Sequence, residues 1–272
     1  MPRVLSVAIV PFELVTGFGR TLYQYREYLK QSVARDLRKA YKRSSLGYLW
    51  SMLNPLMMML IITAVFSVIL KIQVEYYSVF LFAALMPWQY FNQTVLGGLD
   101  SIRANRRIIE HVPIPKYVFI LSLAFSNLAN LFLALVPFCA VALFVGKSLT
   151  WSMMLLPVIV LPLMMLSVGA ALLFATMNVF FDDTRHLTVV LLQAMYYLTP
   201  IMYGVEHLPA SLAKWLQFNP MYHIIGLMRS AFYFGMVPGL ESFMISFGAG
   251  LGVLLIGLAV FRSADSKFMY FL

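Results

Sequence analysis

The sequence predicts an all-α polytopic membrane protein with six transmembrane helices, an N-terminal amphipathic interface helix and short outer-face gate helices before the last span. Three observations carry that expectation. Of 272 residues, 61% are hydrophobic and 11% charged, with a mean hydropathy of +0.83, which is incompatible with a soluble globular domain of this size. The apolar residues gather in uncharged runs near the ~20 residues that a helix rising about 1.5 Å per residue needs to cross the hydrocarbon core. The basic residues lie between those runs, so the net charge of +9 reads as topology and not as a nucleic-acid surface.

The first element, residues 13–43, places Leu22, Tyr25, Leu29, Val33, Leu37 and Ala40 on one helical face, with Arg20, Glu27, Lys30, Arg35 and Lys42 largely elsewhere. A basic amphipathic helix of this kind suits the cytoplasmic membrane surface, or a partner protein. Arg35, Arg38, Lys39, Lys42 and Arg43 then crowd the entrance to the first span, 52–70. The chain is expected to enter the membrane from inside. Met1 to Pro11 is short and is followed by Glu13, which does not fit a cleavable signal.

The second run, 78–99, is interrupted by Pro87, Gly97 and Gly98 and holds the aromatic cluster Trp88, Tyr90 and Phe91. Packing is the plain reading of those rings; a substrate path is the sharper one. The cytoplasmic segment 100–115 follows. Asp100 or Ser101 could cap a short helix there, Ile102, Ile108, Ile109 and Val112 supply apolar contacts, and Pro113 and Pro115 should end it. Arg103, Arg106 and Arg107 keep it inside. A purely topogenic loop would not need the isoleucines or Pro-x-Pro, so a docking helix for a cytosolic partner is at least as good a reading.

Runs 117–145 and 153–181 exceed a bilayer's requirement, and Pro137, Pro157 and Pro162 are candidate bend points. Gly146-Lys147-Ser148 resembles the end of a phosphate-binding loop, but Val141 stands where the earlier glycine is required. Asp182-Asp183-Thr184-Arg185-His186 makes a charged cytoplasmic link; adjacent side chains diverge, so it is a poor metal site. Cys139 is the only cysteine, which leaves no disulfide framework. The fifth run, 187–203, carries Tyr196, Tyr197 and Tyr203. Between 204 and 238 two short helical segments flank Asn219-Pro220, and neither holds a full uncharged span, so a hairpin dipping into the outer face is expected. The last span, 240–261, has Gly248 and Gly252 at the spacing that permits close helix contact.

Six spans with both termini inside leave only Lys71, Lys147, Lys214 and Arg229 outside, against sixteen other Lys and Arg inside. No span holds a central ionisable group, which argues against an ion-coupled carrier. A carrier with neither an ion relay nor a nucleotide loop must be passive or be driven by another polypeptide. A membrane-embedded transferase would need convergent acid, base or metal groups, and the sparse Asp, Glu and His offer no obvious set.

The order of a basic amphipathic helix, Leu46-Gly47-Tyr48-Leu49-Trp50 running into Asn54-Pro55-Leu56, an arginine-bearing segment ending in Pro113-x-Pro115, and Asn219-Pro220-Met221 before the last span resembles the type-2 ABC exporter permeases of bacterial polysaccharide export. The likeness covers nearly the whole chain. It is greatest to O-antigen and lipopolysaccharide permeases of the Wzm type, with capsule and teichoic-acid permeases as relatives. The resemblance implies a homodimer in the bacterial inner membrane, paired with two copies of a cytosolic, Wzt-like ABC ATPase that holds the ATP and magnesium. The cargo it implies is an undecaprenyl-diphosphate-linked glycan. Ile102, Arg103, Arg106, Arg107, Ile108, Ile109 and Val112 would then couple to the ATPase. Trp88, Tyr90, Phe91, Tyr196, Tyr197 and Tyr203 would be candidates for the channel, and Trp215, Asn219, Pro220 and Tyr222 for the gate. Aromatic faces suit such a channel because they meet sugar rings without trapping a moving polymer. A passive pore and a drug- or lipid-exporting ABC permease remain competing readings.

Overall fold

Four helices of the computed structural model are long and apolar enough to cross a membrane: Leu49–Ser67, Tyr117–Phe144, Trp151–Phe180 and Leu240–Phe271. The structure describes residues 19, 23–41, 47, 49–69, 74–112, 114–205 and 209–271, and no strand occurs among them. Residues 13–18, 20–22, 42–46, Tyr48, Lys71 and Pro113, for which the sequence carries expectations, lie outside this set. In chain order the helices are α1 (Arg26–Tyr41), α2 (Leu49–Thr63), α3 (Tyr77–Ala104), α4 (Arg106–His111), α5 (Tyr117–Leu133), α6 (Leu135–Phe144), α7 (Leu156–Phe180), α8 (Thr184–Leu198), α9 (Ala210–Leu216), α10 (Pro220–Phe232), α11 (Leu240–Ala264) and α12 (Phe268–Phe271).

The expected second and fifth spans differ from these four for separate physical reasons. Helix α3 has 28 residues, ample length, but carries Gln89, Asn92, Gln93 and Thr94 in its middle. Much of the helix is enclosed by protein: Phe82, Leu85, Tyr90, Thr94, Leu99 and Ile102 are buried, and α3 packs on α2, α5, α7 and α10, while Gln89 and Asn92 are half-buried and Gln93 is exposed. Helix α8 is short. Its 15 residues reach about 22 Å, less than the ~30 Å hydrocarbon core.

The prolines act unequally. Pro137 lacks the N–H that would bond the Leu133 carbonyl, and the third run divides there, at Ala134. Pro157 instead starts α7, where no partner is needed, and Pro162 lies inside it without ending it. Polar side chains on the long helices are mostly bonded within the protein. Ser126, Ser167 and Thr176 donate to carbonyls one turn back, while Asn178 donates to the Leu99 carbonyl at 3.0 Å and Asn127 to Thr94 Oγ1 at 3.1 Å.

The closest approach is between α7 and α11. A Cβ at Gly169 would stand 2.5 Å from the Leu254 backbone nitrogen, one at Gly250 2.7 Å from the Pro162 carbonyl oxygen, and one at Gly257 would strike the Gly169 carbonyl. Gly250, Leu254 and Gly257 share a face because seven residues make nearly two turns. The expected pair, Gly248 and Gly252, faces the other way and has nothing within 4 Å.

Helix α1 packs on α5 through Leu29 of the predicted apolar face and through Tyr28 beside that face. Leu29 is buried and Tyr28 meets Phe119 edge-on at 6.1 Å; the side chains of Leu37 and Ala40 lie outside the described set.

Candidate functional site

Long-range contacts sort the links into two ends of the helix bundle. At one end Arg103 pairs with Asp182 at 2.6 Å and Arg185 with Asp100 at 2.9 Å, joining the foot of α3 to the α7–α8 link. Lys116 pairs with Asp265 at 2.8 Å, and its ammonium lies over the Phe268 ring, so the C-terminal helix reaches the same end. At the other end Lys147 lies over the rings of Tyr76 and Tyr233, and Tyr233 donates to the Glu75 carbonyl at 2.8 Å. Exposed pairs such as Arg185–Asp100 contribute about 0–1 kcal/mol each, so they report placement more than stability.

The arginine-rich end carries α4. Asp100 and Ser101 do not cap it, because α3 continues through both and stops at Ala104; Asn105 begins the short helix instead. The overshoot is intelligible from length, since 28 residues reach about 42 Å. Ile102 is buried in the protein's own core and Ile109 packs against that core, so these two anchor the segment from within. Ile108 is half-buried, and Val112, Arg103, Arg106 and Arg107 are exposed. Arg106 holds Glu110 by a 2.7 Å ion pair one turn along, and this bond keeps the Glu110 carboxyl below its usual range. The pair therefore persists at neutral pH and is lost only as pH falls through that lowered value. Arg103 and Arg106 also line an open cavity with Phe180, Asp182 and Phe271.

Five of the six candidate channel aromatics come together. Phe91 and Trp88 are 5.8 Å apart, Trp88 and Tyr196 5.5 Å, and Tyr196 and Tyr197 5.4 Å, a row running from the buried interior of α3 to the outside of α8. The Tyr203 hydroxyl donates to the Tyr197 carbonyl at 3.1 Å. Within the protomer, Trp88 and Phe91 are 5% and 4% exposed and present no face to a channel; they support Tyr196 from behind. Tyr197 is 61% exposed. Tyr90 is buried on another side of α3 and does not join the row.

The segment between α8 and α11 turns on Asn219. Its Oδ1 accepts from the Met221 backbone N–H at 3.0 Å, capping α10 in front of Pro220, and its Nδ2 donates to Thr199 Oγ1 at 2.8 Å. One side chain thus ties the start of α10 to the end of α8. Helix α9 is peripheral: Trp215 and Phe218 are 73% and 81% exposed and border a cavity of about 470 Å³ with Met195, Leu198 and Tyr203. Tyr222 sits on the half-buried side of α10 beside His223.

Helix α10 is packed inside the protein. Met221, Ile224, Ile225, Leu227, Met228 and Phe232 are buried against α3 and α11. Arg229, read from sequence as an outer-loop charge, is 6% exposed inside this packing. Its guanidinium lies 3.6 Å from the Phe80 ring centroid and donates to the Ile201 carbonyl at 2.9 Å. Both partners are distant in sequence, so no local pattern reveals the burial. Among the described residues, no three His, Cys, Asp or Glu side chains converge as metal ligands.

Comparison with known proteins adds relatives of nearly the same length. The family model of the ABC-2 type transporter matches residues 27–233. The chain is similar to the O-antigen export system permease protein RfbA of Myxococcus xanthus, 30% identical over 92% of this chain and 96% of that protein. It is 32% identical to the RfbA of Klebsiella pneumoniae over 86% of this chain and 90% of the relative. The polysialic acid transport protein KpsM of Escherichia coli is 26% identical over 86% of this chain and 92% of its own length.

Proposed function

The chain belongs to the ABC-2 type transporter family, and from that premise we propose that it is the membrane permease of an ATP-driven exporter of lipid-linked, O-antigen-like polysaccharide. The observation that carries the reading is the end-to-end match to O-antigen permeases, which takes in both the arginine-rich end and the Asn219 junction. The capsule relative matches at lower identity, which makes a capsule exporter the second reading.

In this reading two copies form the channel in the inner membrane, and two separate ATPase subunits dock at the α4 end. The chain crosses six times: α3 serves as a protein-enclosed second span, and α8 as a short fifth span completed toward the outside by the re-entrant α9 and α10. Both termini are cytoplasmic. Support comes from the gathering of Arg103, Arg106, Arg107, Lys116, Arg185, Arg262 and Lys267 toward one end. With Cys139 replaced by Ala, Glu75→Cys should react with an impermeant thiol reagent in intact cells. Asn105→Cys should react only after permeabilisation. The opposite pattern would invert the orientation.

Tyr197, Tyr203 and the edge of Tyr196 supply the flat surfaces for passing sugar rings, while Trp88 and Phe91 hold Tyr196 in place. Tyr90 belongs elsewhere. Complementation of cells depleted of the chain tests this division together with the function. The wild-type gene should restore the surface glycan. Tyr197→Ala should accumulate as folded protein in the membrane yet export several-fold less. Trp88→Ala, a cavity in packed protein worth about 3–5 kcal/mol, should instead lower the amount of folded protein itself. Depleted cells that keep normal surface glycan would refute the exporter reading.

A further inference from the structure

A second candidate site lies away from the aromatic row. The first turns of α2, the middle of α3 and the end of α5 enclose a half-open cleft of about 190 Å³, lined by Trp50, Asn54, Gln89, Tyr90, Gln93 and Asn130 among others. Tyr90 is the midpoint of the 28-residue α3, which places the cleft well inside the depth of the bundle. Among the described residues, no charged side chain lines it. Amides at such depth are unfavourable unless they meet protein, water or a polar ligand. The Tyr90 hydroxyl is the sharpest case. It is enclosed and makes no bond in strict hydrogen-bonding geometry, with the Thr94 hydroxyl, which accepts from Asn127, as its polar neighbour.

The chemistry selects the ligand. Carboxamides offer donors and acceptors side by side, which matches neighbouring hydroxyls, and the described lining holds no cation to meet a phosphate. Trp50, 49% exposed at the mouth, adds a flat apolar face of the kind that covers a sugar ring. The cleft's volume of about 190 Å³ suits a single ring.

We propose that the cleft between α2, α3 and α5 is a subsite for one neutral, hydroxyl-rich sugar ring; this rests on the exporter reading for its cargo, but not for its chemistry. The amides of Gln89, Gln93 and Asn54 bond the hydroxyls, Trp50 covers one face, and the enclosed Tyr90 hydroxyl becomes a partner when the ring displaces the side chains over it.

The test uses the purified full chain in lipid nanodiscs with an octyl glucoside that carries a diazirine on the sugar, kept below its micelle concentration. Photolabelling should fall on peptides containing residues 49–55 and 86–93 and should be competed by plain octyl glucoside but not by octyl phosphate. Gln89→Leu with Gln93→Leu should reduce labelling there about tenfold. Tyr90→Phe should reduce it at least threefold while the thermal midpoint stays equal or rises, because the change removes an unbonded buried hydroxyl. A merely structural tyrosine would lower the midpoint and leave labelling intact. Unchanged labelling in both variants, or equal competition by octyl phosphate, overturns the subsite. Export is read separately: a chain that exports glycan but takes no label loses only the subsite, and one that labels but exports nothing loses only the exporter reading.

Discussion

Replacing Ile108 and Val112 together by Asp is expected to abolish both export and co-purification with the cytosolic ATPase, while membrane insertion and the thermal midpoint of the isolated chain stay unchanged. The reasoning starts from which apolar groups of the arginine-rich end are already used. Ile102 is wholly buried and Ile109 rests on the chain's own core, so changing either would damage the permease itself. Ile108 is half-buried and Val112 is 43% exposed, which leaves them free to meet a partner. Two carboxylates at the centre of such a contact would be desolvated without partners, a change of about 3–5 kcal/mol, enough to reduce binding by a hundredfold or more. Arg106→Ala should do much less, since its guanidinium is already held by Glu110 at an exposed position. The measurement is pull-down of the ATPase by tagged variants, with export scored in the same cells. Normal association in the double variant would return the segment to a topogenic basic loop.

The second large effect is expected inside the membrane. Gly257→Ala puts a methyl group against the Gly169 carbonyl, and backbone atoms cannot rotate out of the way as a side chain could. Helices α7 and α11 must then separate along their most extensive contact, with Gly250 and Leu254 drawn off as well. Association of helices in lipid depends on close packing more than on hydrophobic expulsion, so the loss should be on the order of 3 kcal/mol. Gly252→Ala, in open space within the protomer, should shift the protomer's stability by less than about 0.5 kcal/mol. Thermal midpoints of the purified variants in detergent decide between them. Equal midpoints would mean that α7 and α11 do not approach as closely as described.

The two glycine pairs show where sequence reading stops. Glycines four apart and seven apart both occur in the last span, and spacing alone cannot say which face meets α7. The first, third and fourth runs and the last span were legible because each is long and apolar enough to cross the hydrocarbon core, whether it faces lipid or, like the fourth, mostly protein. Helix α3 was legible as an uncharged run, but its enclosure was not, since Gln89 and Gln93 read the same whether they meet lipid, protein or a cleft. At the candidate site, the aromatic row joins Phe91 and Trp88 to Tyr196 and Tyr197 across a hundred residues of sequence. The residue types signalled their interest, but only the packing separates Tyr197, which faces outward, from Trp88, which supports it. Asp100 misled because a cap residue and a surface ion-pair partner look alike until Arg185 is seen beside it. Arg229 misled because a lone arginine in a short helix reads as a surface charge. Its burial depends on Phe80 and on the Ile201 carbonyl.

The central claim, that this chain carries lipid-linked glycan outward under the power of a separate ATPase, is most directly tested by reconstitution. Vesicles holding the purified chain and its ATPase, with the ATPase side facing out, would be loaded with a lipid-linked glycan in their outer leaflet. A lectin enclosed in the lumen would report arrival. Lumenal lectin binding is expected only when chain, ATPase and ATP are all present, with no ATP hydrolysis by the chain alone. Arrival without ATP, or no arrival with all three present, would contradict it.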